Sequence, residues 1–209
     1  MENMSQQLGK LEKPSASKFR TGRKLFFVPL IFTPLQPDPA LSELIDRYWD
    51  QVQGQVKNME EKLSQVKKVY YELIPIGGKK GLKAIEALSK GSHRIVKNIL
   101  DKGAKLQSIE NGDLLAEFMD WSKCLSVGLQ SRAVIDKVYQ SYIEVQKRRT
   151  DQIAEKIDRT LKSEETGVLV MREGHQVQFS SDIQVFYVAP PSLDEIKRWL
   201  RARQTEPQV

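Results

Sequence analysis

Four residues carry most of the chemistry this sequence offers: His175, Glu72, Glu110 and Arg149. His175 stands in Arg172-Glu173-Gly174-His175, where the apolar run Val168–Met171 gives way to polar groups. Glu72 and Glu110 each follow a short apolar stretch in the same way. Two carboxylates and an imidazole can bind a divalent metal or divide the work of acid and base. An arginine beside them, Arg148 or Arg149 of Lys147-Arg148-Arg149, can hold an anionic substrate or intermediate. Each has a plainer reading. Glu72 suits an exposed strand-end carboxylate, Glu110 a helix cap before Asp113, and His175 a hydrogen-bonded turn.

Chemistry of this kind needs a scaffold that brings distant segments to one edge, and the hydrophobic spacing predicts one. Residues 24–32 read as a first strand, aromatic and β-branched, with Pro29 demanding a sheet edge or a bulge. Three prolines in 33–39 make a loop. Apolar residues from Leu41 to Leu63 recur at three- and four-residue steps and predict a long helix to about 66. A second strand over 66–75 stops at Pro75 and Gly77-Gly78. A helical pair spans 79–102, divided at Gly91 with Ser92 as N-cap. A short strand at 104–109 precedes helix from Asp113 to about 163, broken near Gly128. Strands around 168–171 and 182–188 and a final helix from Ser192 to about Arg203 complete the chain. The order β-α-β-α-α-β-α-α-β-β-α predicts a helix-rich three-layer α/β domain over 24–209, with a mainly parallel sheet of about five strands. In such sheets ligands sit beyond the C-terminal strand ends, where Glu72, Glu110 and Arg172–His175 fall.

The bulk numbers narrow the class. No apolar run approaches the ~18 residues of a spanning helix. The single cysteine, Cys124, excludes an internal disulfide, and the expected compartment is the cytoplasm. The formal charge is +6, of which residues 1–24 carry six basic less two acidic groups, or +4. Residues 1–23 read as a disordered basic tail, which keeps nucleic-acid binding open as one reading. Gly77-Gly78-Lys79-Lys80-Gly81 places glycines and lysines before a helix but lacks the ending of a nucleotide-binding loop, and reads as a surface turn.

Two segments carry a family resemblance. One is Val69-Tyr-Tyr-Glu-Leu-Ile-Pro-Ile-Gly-Gly78, with Gly91-Ser92 and Gly103-Ala-Lys-Leu-Gln-Ser-Ile-Glu110. The other is Arg149-Thr-Asp-Gln-Ile-Ala-Glu-Lys-Ile-Asp-Arg-Thr-Leu161, then Glu165-Thr-Gly-Val-Leu-Val-Met-Arg-Glu-Gly-His175 and Asp182-Ile-Gln-Val185. Together they resemble an uncharacterised bacterial family of the TraB / ChaN / erythromycin-esterase-like group. The resemblance implies a helix-rich α/β fold with a polar site of histidines after strands, carboxylates and an arginine; some members of the wider group are hydrolases. Onto this chain it carries His175, Glu72, Glu110 and Arg149. The family has a histidine after the first strand where this chain has Phe32, and a glycine where it has Arg172. These departures favour a non-catalytic binding or regulatory protein with a degenerate site. The alternatives are a hydrolase, with a divalent metal as its cofactor, and nucleic-acid binding through the tail. The ligand, protein partners and oligomeric state stay open.

Overall fold

A computed structural model describes residues 21–204, apart from Leu35 and Pro37. Its elements follow the expected order: β1 (Arg23–Pro29), α1 (Pro39–Lys62), β2 (Val66–Tyr71), α2 (Gly78–Leu88), α3 (Lys90–Asp101), β3 (Lys105–Gln107), α4 (Gly112–Ser126), α5 (Arg132–Thr160), β4 (Thr166–Met171), β5 (Ile183–Tyr187) and α6 (Pro191–Gln204). The five strands form one sheet in the order β3-β2-β4-β1-β5, and every pairing is parallel.

Alternation along the strands builds two cores. Phe26 and Val28 of β1, Val69 and Tyr71 of β2, and Val168 and Val170 of β4 face α1, α2, α3 and α6. Leu25, Phe27, Tyr70, Leu169 and Met171 face the other way, against Ile153, Ile157 and Leu161 of α5 and its end. Strands covered on both sides have no solvent face to make polar, which is why β4 is buried at all six positions. The helix α4 does not reach this core directly; it packs on α5 through Leu114, Phe118 and Val145.

Several boundaries differ from the sequence reading, each for a local reason. β1 lies between β4 and β5, not at an edge, and Pro29 is its last residue. Lys24 and Leu30 donate their N–H groups to Glu165 and Met171 on the β4 side. Alternation therefore turns the Pro29 nitrogen toward β5, whose last bond, Val188 N–H to the Phe27 carbonyl, has already been made. The ladder to β5 ends there, with a residue that cannot donate at the end of the strand, and Phe32 falls outside it. β2 ends at Tyr71 because Leu73 takes a left-handed conformation, φ 67°.

Gly91 does not divide the helical pair. Ser89 does, ending α2 and capping α3 by accepting from the Ser92 N–H at 3.4 Å. Gly91 lies inside α3, where a Cβ would stand 2.2 Å from Cδ1 of Trp49; glycine is there to let two helices approach. The glycines around α2 serve packing as well: a Cβ on Gly77 or Gly81 would meet the Leu106 or Ile76 carbonyl oxygen at 2.8 and 2.3 Å.

Residues 1–20 of the basic tail lie outside the described residues. Two of the charges assigned to the tail belong to the fold. Lys24 is fully buried, and Arg23 bridges Asp158 and Asp182 at 2.8 and 2.6 Å while donating to the Asp158 and Leu161 carbonyls at the end of α5. Residues 1–22 are left with four basic and two acidic groups, or +2. Among the described residues no helix is long and apolar enough to cross a membrane.

Candidate functional site

The connections of β2 and β4 part company. β2 leads through α2 and α3 to β3 on one side, whereas β4 leads to β5 on the other. A parallel sheet opens a crevice where neighbouring strands diverge in this way. Glu72 is the first residue after β2 and Arg172 the first after β4, so both stand at that opening.

Four charged residues meet there. Arg149 is 4% exposed; its Nε donates to Glu110 Oε2 at 2.9 Å, and its Nη2 donates to Glu110 Oε1 and, at 3.1 Å, to Glu72 Oε1. Arg172 donates its backbone N–H to Glu72 Oε2 at 2.8 Å and its Nη2 to Glu72 Oε1 at 2.9 Å. Glu72 and Glu110 are each 2% exposed. Two guanidinium groups therefore neutralise two buried carboxylates, which buried charges require. Burial works against ionisation of Glu72, but the hydrogen bonds and charge of Arg172, with Arg149 behind it, hold its carboxyl below the ordinary range. Burial also opposes the charge on Arg149, and the Glu110 and Glu72 carboxylates outweigh it, raising its pKa.

The backbone shares in the arrangement. Leu73 N–H donates to Glu110 Oε1 at 2.9 Å, tying down the one residue between β2 and α2 that is left-handed without being glycine. Such a conformation costs roughly 1–2 kcal/mol and persists only where its surroundings hold it. Lys156 donates to the Glu110 carbonyl at 2.8 Å, and the Phe118 ring lies under the Arg149 guanidinium, 4.8 Å from Cζ. Glu110 does not cap α4. Asn111 does, accepting from the Leu114 N–H at 3.0 Å, which frees the carboxylate of Glu110 to turn inward.

Above this cluster is a cleft of about 180 Å³, lined by Glu72, Arg149, Arg172 and His175 with Tyr142 and Gln146 among its other walls. Of the four residues singled out from the sequence, three line the cleft and Glu110 lies behind Arg149. Phe32, where the resemblance expects a histidine, does not line it. His175 packs on Phe27, ring centroids 4.8 Å apart, and on Phe179 at 5.7 Å. Its Nδ1 accepts the Val177 N–H at 3.3 Å, which leaves the proton of the neutral ring on Nε2. Burial lowers the His175 pKa, against the pull of Glu72. With Nδ1 accepting from Val177, the neutral imidazole presents an Nε2 proton to the cleft side rather than a free lone pair.

The donor set does not fit a divalent metal. Both carboxylates are engaged by arginines, and among the described residues no three His, Cys, Asp or Glu side chains are grouped to hold an ion. Arg172, in sequence only a departure from the pattern of the resemblance, supplies more bonds to Glu72 than Arg149 does. Its place immediately after β4, at the same sheet edge as Glu72, was the available signal. Compared with known proteins, the chain matches no family model, no curated protein and no solved structure.

Proposed function

We propose that this protein is a non-catalytic binding or regulatory protein, and that its cleft is a degenerate relative of the TraB/ChaN-like site. The observation that carries this reading is the pairing of Glu72 and Glu110 with Arg172 and Arg149. Hydrolysis by these residues needs a carboxylate or imidazole free to take a proton from water. Glu72 accepts from two arginines, Glu110 from Arg149 and the Leu73 amide, and His175 Nδ1 from the Val177 amide. The groups that would act as bases are committed to holding the fold.

The test is turnover. Purified protein is incubated with p-nitrophenyl acetate, p-nitrophenyl butyrate and p-nitrophenyl phosphate, beside a His175→Ala variant. The expected result is no rate that depends on His175. A rate well above background that His175→Ala abolishes, in a protein of unchanged circular dichroism, overturns the binding reading in favour of the hydrolase.

A further inference from the structure

The cleft has a second half. His175, Glu173 and Gly174 also line an open shelf whose other walls are Phe27, Val177, Phe179, Val185 and Tyr187. The shelf exists because β5 is the outer strand and α5 packs further inboard: Ile183 is buried in the core on that side, but the rest of the same face of β5 is uncovered. On that face Val185 and Tyr187 are 46% and 48% exposed. The Tyr187 ring stacks on Phe27, centroids 5.4 Å apart and planes 16° from parallel, and Phe27 in turn packs on His175. Tyr187 donates its hydroxyl to Glu173, which also receives Lys197 at 2.7 Å, so the ring is held in place from its far end. The result is an ordered aromatic surface beginning where the charged cleft ends.

The charged half has a definite polarity. The Glu72 and Glu110 oxygens already accept from Arg149, Arg172 and the Leu73 amide. The arginines' Nε and Nη2 atoms are used in these bonds, and among the described residues the Nη1 of each has no protein partner. His175 adds an Nε2 proton. At the rim Glu173 is held through Oε1 by Tyr187 and Lys197; deeper in the cleft the Glu72 and Glu110 acceptors are taken, while donors of Arg149, Arg172 and His175 are open. A ligand that completes them is an acceptor, and guanidinium donors favour a planar carboxylate.

Resting on the binding reading above, we propose that the ligand is an aromatic carboxylate. Its carboxylate is held between Arg149, Arg172 and His175, and its ring lies on the Phe27–Phe179–Tyr187 shelf. Continuity of the two halves through His175 selects one amphipathic molecule over an inorganic anion, which would leave the shelf uncovered, and over a neutral aromatic, which would leave the donors unfilled. The cluster carries two positive and two negative charges, so bulk electrostatics contributes little and affinity depends on the contacts themselves.

The probe is 2-naphthoate, titrated calorimetrically into the full chain, with acetate and 2-naphthylmethanol as the anionic and the aromatic half alone. The expected result is that 2-naphthoate binds at least tenfold tighter than either. One charge-assisted hydrogen bond is worth roughly tenfold or more, so Arg172→Gln weakens both acids by at least that factor. Tyr187→Ala and Val185→Asp, both at half-exposed positions, weaken 2-naphthoate at least tenfold more than they weaken acetate. Circular dichroism of each variant checks its fold. If acetate binds as tightly as 2-naphthoate, or the two shelf variants are without effect, the aromatic assignment is overturned while the binding reading stands. If neither acid binds at millimolar concentration, both fall.

Discussion

Replacing Arg149 by methionine tests the charged cluster most directly. Methionine fills much of the space of the arginine stem but removes the bonds to Glu110 Oε1 and Oε2 and the 3.1 Å bond to Glu72. The consequences for the two carboxylates differ. Glu72 keeps Arg172, at 2.9 Å from Nη2 and 2.8 Å from the backbone N–H. Glu110, whose side chain is 0% exposed, keeps only the Leu73 amide. The loss therefore falls on one stranded buried charge, and breaking a buried pair by removing one partner costs about 3–5 kcal/mol. For a chain of this size that corresponds to a fall in Tm of roughly 6–20 °C. The second leg of the cycle is Arg149→Met with Glu110→Gln. It removes the stranded charge and leaves an amide oxygen for Leu73 N–H, so it recovers at least half the loss, and the coupling between the sites exceeds about 1 kcal/mol. Urea unfolding followed by circular dichroism measures all four proteins. If Arg149→Met lies within about 1 kcal/mol of the parent at unchanged m-value, or the double variant is no more stable than the single one, the cluster is not formed as described.

Two further expectations follow from single positions. Gly91→Ala drives a methyl group against Trp49 inside the α1–α3 contact, and overpacking of this kind costs roughly 1–3 kcal/mol; an unchanged urea midpoint would show that the helices are not so close. His175 is held below its ordinary pKa by burial, so the unfolded chain binds a proton that the folded one refuses. Its stabilising contribution is complete above the ordinary histidine pKa of about 6.5 and is lost as pH falls from there toward the folded value. Urea midpoints between pH 7 and 5.5 therefore drop more for the parent than for His175→Gln, and parallel curves would refute the assignment.

The element order was legible because each element carries its own period. Strands covered on both faces read as apolar runs, and α1 shows its stripe from Leu41 to Val56 at helical steps. What escaped was decided between elements. Pro29 reads as an edge or bulge residue because its nitrogen cannot donate, but it falls at the last position of β1, where the ladder to β5 ends. Gly91 looked like a helix terminus because glycine often is one, whereas the reason for it is Trp49, more than 40 residues away. The choice between Arg148 and Arg149 was nearer to hand. Val145, Arg149, Ile153 and Ile157 fall at four-residue steps, so Arg149 occupies a core position of α5, while Arg148 sits one step off and pairs with Glu117 at the surface. A charged residue on an apolar stripe needs an opposite charge inside, and the strand-end glutamates were the available partners.

That reasoning also explains why the cluster belongs to the fold as much as to any ligand. Glu72 follows β2, Glu110 precedes α4, Arg149 is in the middle of α5, and Arg172 follows β4. Neutralising these four charges requires all four segments to be in register at once, since each arginine spans two of them or closes a carboxylate from the opposite side. A site built this way has its donors fixed before any ligand arrives, so binding does not have to order them, and affinity gained by such preorganisation requires no net charge. The same constraint sets what can be changed. Altering Arg149 or Glu110 strands a buried charge, whereas Arg172 is 43% exposed in its side chain and its loss leaves Glu72 the Arg149 bond and the backbone N–H of residue 172, so the loss of stability there is smaller. On the proposed binding reading, ligand contact is therefore more nearly separable from folding at Arg172 than at Arg149.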